Sequence, residues 1–468
     1  MFALPKAALP LLRSVAGACV LPTAKRLLTL MCGAILATGR RTISNLLRAT
    51  RGLAPGHPSS YHRVFSRRRW SLWPLAHGLV DLILRHWVPA GSVALAGDDT
   101  VDEHRGAHVY GKGRHRDPVR STHSYTAYRW GHKWVVLAIL VRFPFANRPW
   151  ALPVLVALYR SREWNQQHRR RHRTPAQLLR RLVAVLLHWF PHRHFTLTGD
   201  GGYGSHEMAR FAHRHRRRLT LVSRFVPDAQ LYTPPPVIAG KRPAHRPRTK
   251  GEKLPTPEAT VAATGPADRT ACNVSWYGGG RRDIEVVTAT GNWYHSGEGL
   301  VPLRWVFVRD RTGTHRDDYL FSTDPEMATA PVVETYTGRW SIETTLQEMR
   351  AYLGLETTRG WKEATVLRLA PCLFGLFSVV AVLYDLLPVR ARAAGRVAWP
   401  GKVETTFSDA ITAVRRWLWV NWVFANHGYG AAFSKLSRPF QETLLSALAP
   451  PAQRWKKGRR RAESLCQE

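Results

Sequence analysis

The stretch YTGRWSIETTLQEMR (336–350) sets two glutamates beside a tyrosine and two arginines, in a chain with 32 acidic residues against 69 Lys plus Arg. As one helix over 333–353, at about 100° per residue, it carries Tyr336, Arg339, Glu343 and Arg350 on a single narrow stripe. Ile342, Leu346, Met349 and Leu353 form a core face next to that stripe, and Glu348 points away from both. A carboxylate between cationic and hydroxyl groups suits an acid that holds a metal beside a phosphate track. Arg offers a bidentate fork to phosphate, and Tyr a hydroxyl donor. The plainer alternative is an Arg339–Glu343 ion pair at i,i+4, stabilising by about 0.2–0.5 kcal/mol.

Upstream residues decide between these readings. SVALAG (92–97) reads as a short strand ending in Asp98-Asp99-Thr100, and HFTLTG (194–199) as another running into Asp200. Acids at strand tips sit where a sheet opens to a ligand. With Glu343 they make three carboxylates able to converge on two divalent cations. Such a pair activates an attacking hydroxyl and stabilises a leaving oxygen in phosphoryl transfer. Hard oxygen donors with open water positions suit Mg²⁺.

The elements that must position these acids follow from pattern. WVVLAILV (134–141) and ALPVLVALY (151–159) read as buried strands, and TPAQLLRRLVAVLLHWF as a helix capped by Thr174 with Pro175 in its first turn. A helix near 205–216 and a strand over 218–225 complete an α/β unit. The segment 234–255 is Pro-rich and basic and reads as a loop. Residues 258–323 read as β-rich, with ATVAAT, CNVSWYG, DIEVVTAT and LRWVFVRD as strands. Helices resume near 331. The first 90 residues read as helices, with Thr42 or Ser44 as an N-cap. They are either a small DNA-binding domain or a helical cap with an Arg-rich outer face. The expected organisation is therefore 1–90 helical, 91–226 first part of a catalytic core, 227–330 basic loop plus β-rich insertion, 331–430 second part of the core, and 431–468 a C-terminal segment with the basic tail RWKKGRRRAE.

A formal net charge of +37 over 468 residues draws polyanions, nucleic acid first. Five cysteines without a CxxC pair argue against a zinc ribbon or disulfide framework and fit a reducing compartment. The histidines in HRRRHR (168–173) read as solvated cationic surface. Neither the run at 26–40 nor Ala370–Tyr384 reaches the roughly 20 apolar residues of a span, so a cytoplasmic, nucleoid-associated protein with no membrane partner is expected.

Taken together, these residues resemble the DDE transposases of bacterial insertion sequences, specifically the cut-and-paste group with a Y-x2-R-x3-E-x6-K signature. Here that signature is Tyr336, Arg339, Glu343 and Arg350, with Arg in place of the usual Lys. The resemblance spans roughly 90–430 and implies an α/β fold: an RNase H-like mixed sheet flanked by helices, with a β-rich insertion and an N-terminal helical domain. It implies catalytic, metal-holding acids at Asp99, Asp200 and Glu343. Asp98 competes for the first place, and the acid directly before the threonine favours Asp99. It also implies DNA contacts at Tyr336, Arg339 and Arg350, and Trp305 of PLRWVFV stacking on a flipped base, where a buried strand tryptophan is the alternative. Two Mg²⁺ ions, replaceable by Mn²⁺, would serve cleavage of double-stranded DNA at element ends and joining of the 3′ ends to target DNA. In relatives of the group the freed 3′-hydroxyl forms a hairpin that is later reopened. A homodimer on paired ends is the expected assembly. The rival reading is an inactive or repurposed DNA-binding protein derived from a transposase.

Overall fold

The computed structural model describes residues 8–104, 106–117, 121–122, 124–236, 248–396, 402 and 404–451. The basic tail and the centre of the Pro-rich segment (237–247) lie outside them.

Five helices open the chain: α1 (Leu9–Ala18), α2 (Leu21–Leu36), α3 (Ile43–Ala49), α4 (Pro58–Ser66) and α5 (Trp73–Trp87). Thr42 caps α3, its hydroxyl accepting from the Asn45 amide at 3.3 Å. A mixed α/β unit then builds with β1 (Val93–Glu103), β2 (Gly113–Arg116), β3 (Tyr128–Val141) and β4 (Trp150–Tyr159), followed by α6 (Arg162–Gln167) and α7 (Pro175–Trp189). Thr174 and Gln177 form a reciprocal capping box at the start of α7. Next come β5 (Phe195–Thr198), α8 (His206–Arg214), β6 (Leu219–Arg224) and the two-residue β7 (Leu231–Tyr232).

Strands β4, β3 and β1 pair antiparallel, and β1, β5 and β6 pair parallel. That order, β4-β3-β1-β5-β6, is the RNase H-like mixed sheet expected from the sequence. The short β2 pairs with β3 just beyond the end of β4. One strand is longer than its apolar run suggests. β1 continues through the acids to Glu103, while its parallel pairing with β5 stops at Ala96↔Thr198. Asp98 and Asp99 therefore lie inside β1, where it outruns its neighbour, and not at its tip.

The next region adds α9 (Pro257–Ala263), β8 (Thr270–Ser275), β9 (Arg281–His295), β10 (Gly299–Asp310) and β11 (Asp318–Ser322). ATVAAT, read as a strand, is helical. Thr256 caps it and Pro257 opens it, local signals that outweigh the β-branched residues. β11 pairs antiparallel with both β6 and β10, so among the described residues one sheet of eleven strands runs from the acids into this region.

Helices α10 (Thr329–Gly338), α11 (Ser341–Tyr352), α12 (Glu363–Leu386), α13 (Val389–Ala394), α14 (Phe407–Leu418), α15 (Gly430–Lys435) and α16 (Arg438–Leu448) complete the chain. Starting at Glu363, α12 is longer than the run 370–384 suggests. Its 24 residues are enough, by length and composition alone, to cross a membrane, yet 67 % of its most apolar window is buried inside the protein. It packs on β4, where the Ser378 hydroxyl donates to the Pro153 carbonyl at 2.7 Å.

Two buried arginines fasten α2 to the core. Arg415 of α14 donates Nε to the Ile35 carbonyl at 2.6 Å and Nη2 to Ala37 at 3.1 Å. Arg41 donates to Ala34 at 3.2 Å and reaches the Tyr352 carbonyl of α11. The Ala34, Ile35 and Ala37 carbonyls lie at the C-terminal end of α2, where cations also meet the negative end of the helix dipole.

Gly131 of β3 lets β1 approach closely, because a Cβ there would lie 1.8 Å from the Asp102 carbonyl oxygen. Gly131→Ala must push the two strands apart. A loss of about 1–3 kcal/mol is expected, within the usual range for overpacking and measurable by urea denaturation.

Candidate active site

Cross-strand partners share a face of the sheet, so β1 divides its acids cleanly. Asp98 pairs in register with Val136 and lies on the face that also carries Thr100 and Trp134. That face meets the later helices: Trp134 contacts Phe374 of α12, and Arg350 of α11 donates to the Thr100 hydroxyl. Asp99 lies on the other face, with Gly97, against which Leu179 of α7 packs.

On the α11 side, the Arg339 guanidinium bridges two carboxylates. Nη1 lies 3.5 Å from Asp98 Oδ2 and Nη2 3.0 Å from Glu343 Oε1. Burial opposes the cation, but Asp98, Tyr336, Glu343 and Asp200 together outweigh it and raise its pKa. Burial lifts the Asp98 carboxyl to about 7 against the pull of Arg339, with Asp200 and Asp99 adding repulsion. Asp200, just past β5, accepts from the Gly202 amide at 3.0 Å, which shapes the turn that presents it. Its charge reaches Asp98, Arg339, Tyr203 and Tyr336. Asp98, Asp200 and Glu343 thus converge from a strand interior, a strand end and a helix.

Asp99 has other partners. Lys133 Nζ sits 2.9 Å from its Oδ1, and the Tyr203 hydroxyl donates to its Oδ2 at 3.1 Å. The Tyr203 phenol is held neutral by burial and by all three nearby aspartates. Neither Lys133 nor Tyr203 was singled out from the sequence. GDGGYG placed Tyr203 close behind Asp200, whereas nothing in the chain order pointed to Lys133.

The helical stripe is broken. Between α10 and α11 the amides of Arg339, Trp340, Ile342 and Glu343 each bond back three residues instead of four. This tighter winding follows Gly338 and rotates what precedes it relative to Glu343. Tyr336 consequently packs in a buried cluster with Val222, Val306 and Val333 and is 3 % exposed. What remains uncovered of it lines a small cavity with Arg224, Tyr277 and Asp318. Arg350 is likewise occupied: besides Thr100 it donates to the Val101 carbonyl at 3.4 Å and pairs with Glu356 at 3.7 Å. Burial lowers its pKa despite Glu356. Trp305 is 1 % exposed and paired on both sides within the sheet, so it has no face to offer a base. Trp340 is 37 % exposed and stands between Arg339 and Glu343 in the chain. Trp340 was not singled out from the sequence, although even helical winding would set it about 40° from Tyr336, so a signal for it existed.

A divalent cation fits this donor set. The oxygens of Asp98 and Glu343 already share one cationic group, and Arg339 Nε is buried with no partner among the described residues, so the guanidinium is not fully committed there. Hard carboxylates around such a position match an oxygen-preferring metal.

A family model described as DDE superfamily endonuclease matches residues 18–283, more than half of the chain. Among solved structures, the piggyBac transposase synaptic complex with hairpin DNA, determined by cryo-EM, is similar at 11 % identity, with a TM-score of 0.39 over 91 % of this chain and 76 % of that one. No curated protein sequence matches.

Proposed function

Since the chain belongs to the DDE superfamily endonucleases, a family that uses divalent metal, we propose that it is a transposase of the insertion-sequence type, cleaving DNA at element ends and joining the 3′ ends to target DNA. The observation that carries the reading is the convergence of Asp98 and Glu343 on one guanidinium, with Asp200 beside them. Asp98, Asp200 and Glu343 would hold Mg²⁺. When bound, such ions lower the pKa of an attacking water or hydroxyl and offset charge on the leaving oxygen.

The remaining work falls to the chain's own groups. Arg339 holds Asp98 and Glu343 together through its two Nη groups and keeps a positive charge beside them. Asp99 anchors Tyr203 and Lys133 on the opposite face and so steadies the turn that carries Asp200. Arg350 ties α11 to β1 through Thr100, which fixes the distance between the Glu helix and the aspartates. The net charge of +37 supplies the attraction for double-stranded DNA.

The test uses the gene's own flanking DNA, labelled at one end. Cuts are expected at the tip of an inverted repeat, dependent on Mg²⁺ or Mn²⁺ and abolished by chelation. Salt-sensitive binding without any divalent-dependent cut would favour the repurposed DNA-binding reading.

A further inference from the structure

Four residues beyond Asp98 on the same face of β1, about 13 Å along the strand, a second group of ligand atoms is assembled. Asp102 is fully buried, His132 stands opposite it on β3, and His104 follows the end of β1. Their donor atoms all lie within 4.8 Å of one another. We propose that Asp102, His104 and His132 form a separate structural Zn²⁺ site.

The spacing admits an ion. Each histidine faces a different oxygen of Asp102: His104 Nε2 lies 3.2 Å from Oδ2, and His132 Nδ1 lies 3.6 Å from Oδ1. Zn²⁺ takes imidazole and carboxylate donors at about 2.0–2.2 Å, a reach that suits one donor atom from each of the three residues.

Proton accounting gives an independent argument. His132 Nε2 lies 2.9 Å from the Tyr110 carbonyl oxygen. A carbonyl only accepts, so this nitrogen must carry the proton. In neutral His132 the bare Nδ1 then faces a carboxylate oxygen, acceptor against acceptor. A bound cation resolves the confrontation using both lone pairs.

The surroundings have the form of an outer shell that orients metal ligands. The His132 imidazole is fixed by Tyr110. Asp102 accepts from the His132 amide at 3.1 Å and from Trp134 Nε1 at 3.3 Å. Two imidazoles and one carboxylate make a borderline donor set that favours Zn²⁺ over the Mg²⁺ suited to the all-carboxylate site. The ion would join the end of β1 to β3. It would also reach the loop at Tyr110, whose amide and hydroxyl bond Trp361 and Glu363 before and at the start of α12.

The test uses full-length Asp200→Asn/Glu343→Gln protein, so that the catalytic acids do not contribute, stripped with chelator and dialysed against Zn²⁺ in excess Mg²⁺. One equivalent of Zn²⁺ per chain is expected to be retained, with a raised thermal midpoint. Co²⁺ in its place should show the intense visible bands of a tetrahedral site. His104→Gln and His132→Gln should each lower Zn²⁺ affinity at least tenfold. Substoichiometric retention in the parent protein overturns the site, as does undiminished retention in both histidine variants. If those variants do not fold, the Co²⁺ spectrum of the parent decides: tetrahedral bands uphold the site and their absence overturns it.

Discussion

Asp98→Asn is expected to lower Mg²⁺-dependent cleavage of element ends by on the order of 10³, taking several kcal/mol as the worth of metal charge stabilisation and 1.36 kcal/mol per tenfold. Glu343→Gln should match it. Asn and Gln keep size and shape but give up the negative charge that a hard cation requires. DNA binding should persist in both, because the basic surface is unaltered. Asp99→Asn should behave differently. It leaves Lys133 without its counter-charge and weakens the hold on Tyr203, which costs positioning, so a loss of about tenfold is expected, the size of a ligand-orienting contact. Measured end cleavage separates the cases: an inactive Asp99→Asn beside an active Asp98→Asn would return the first acid to Asp99.

The second large effect is on stability. Arg415→Ala removes the donors to the Ile35 and Ala37 carbonyls and leaves a cavity where a 2 %-exposed side chain stood. The buried guanidinium carries a desolvation cost, visible in a pKa drawn down to about 9 by burial with Arg41 adding to it. Its removal recovers part of that cost. Two stranded carbonyls at about 1–3 kcal/mol each outweigh the recovery, and a net loss of roughly 3 kcal/mol is expected. Thermal unfolding should show it. Hydrogen exchange should rise first at the end of α2, residues 33–37, and least in β1 and β5. Uniform protection in the variant would mean that the helices are held by apolar packing alone.

The sheet was legible because β3 and β4 hold long apolar runs and β5 and β6 mix apolar residues with β-branched threonine, and α7 and α8 because their caps are spelled out by Thr174 and Ser205. The extent of β1 was not, since its second half reads DDTVDE and is held by pairing with β3, a non-local cause. The choice between Asp98 and Asp99 depends on which face of β1 meets α11, which no local pattern encodes. The wheel over 333–353 placed Arg339 beside Glu343 correctly but assumed even winding. The tight turn after Gly338 moved Tyr336 into the core. Trp305 shares its face of β10 with Val301, Leu303 and Phe307, all buried, and a buried strand tryptophan is what the structure has there.

The position of Arg339 has a thermodynamic consequence. One positive charge has two prospective clients, the carboxylates it now bridges and the phosphates of a DNA substrate. A cation that takes over Asp98 and Glu343 releases the arginine toward DNA. By reciprocity, DNA that draws the arginine away strengthens the acids' hold on that cation by the same factor. Loading of the acids and engagement of substrate are thereby linked through a single side chain, and Arg339→Ala should uncouple them.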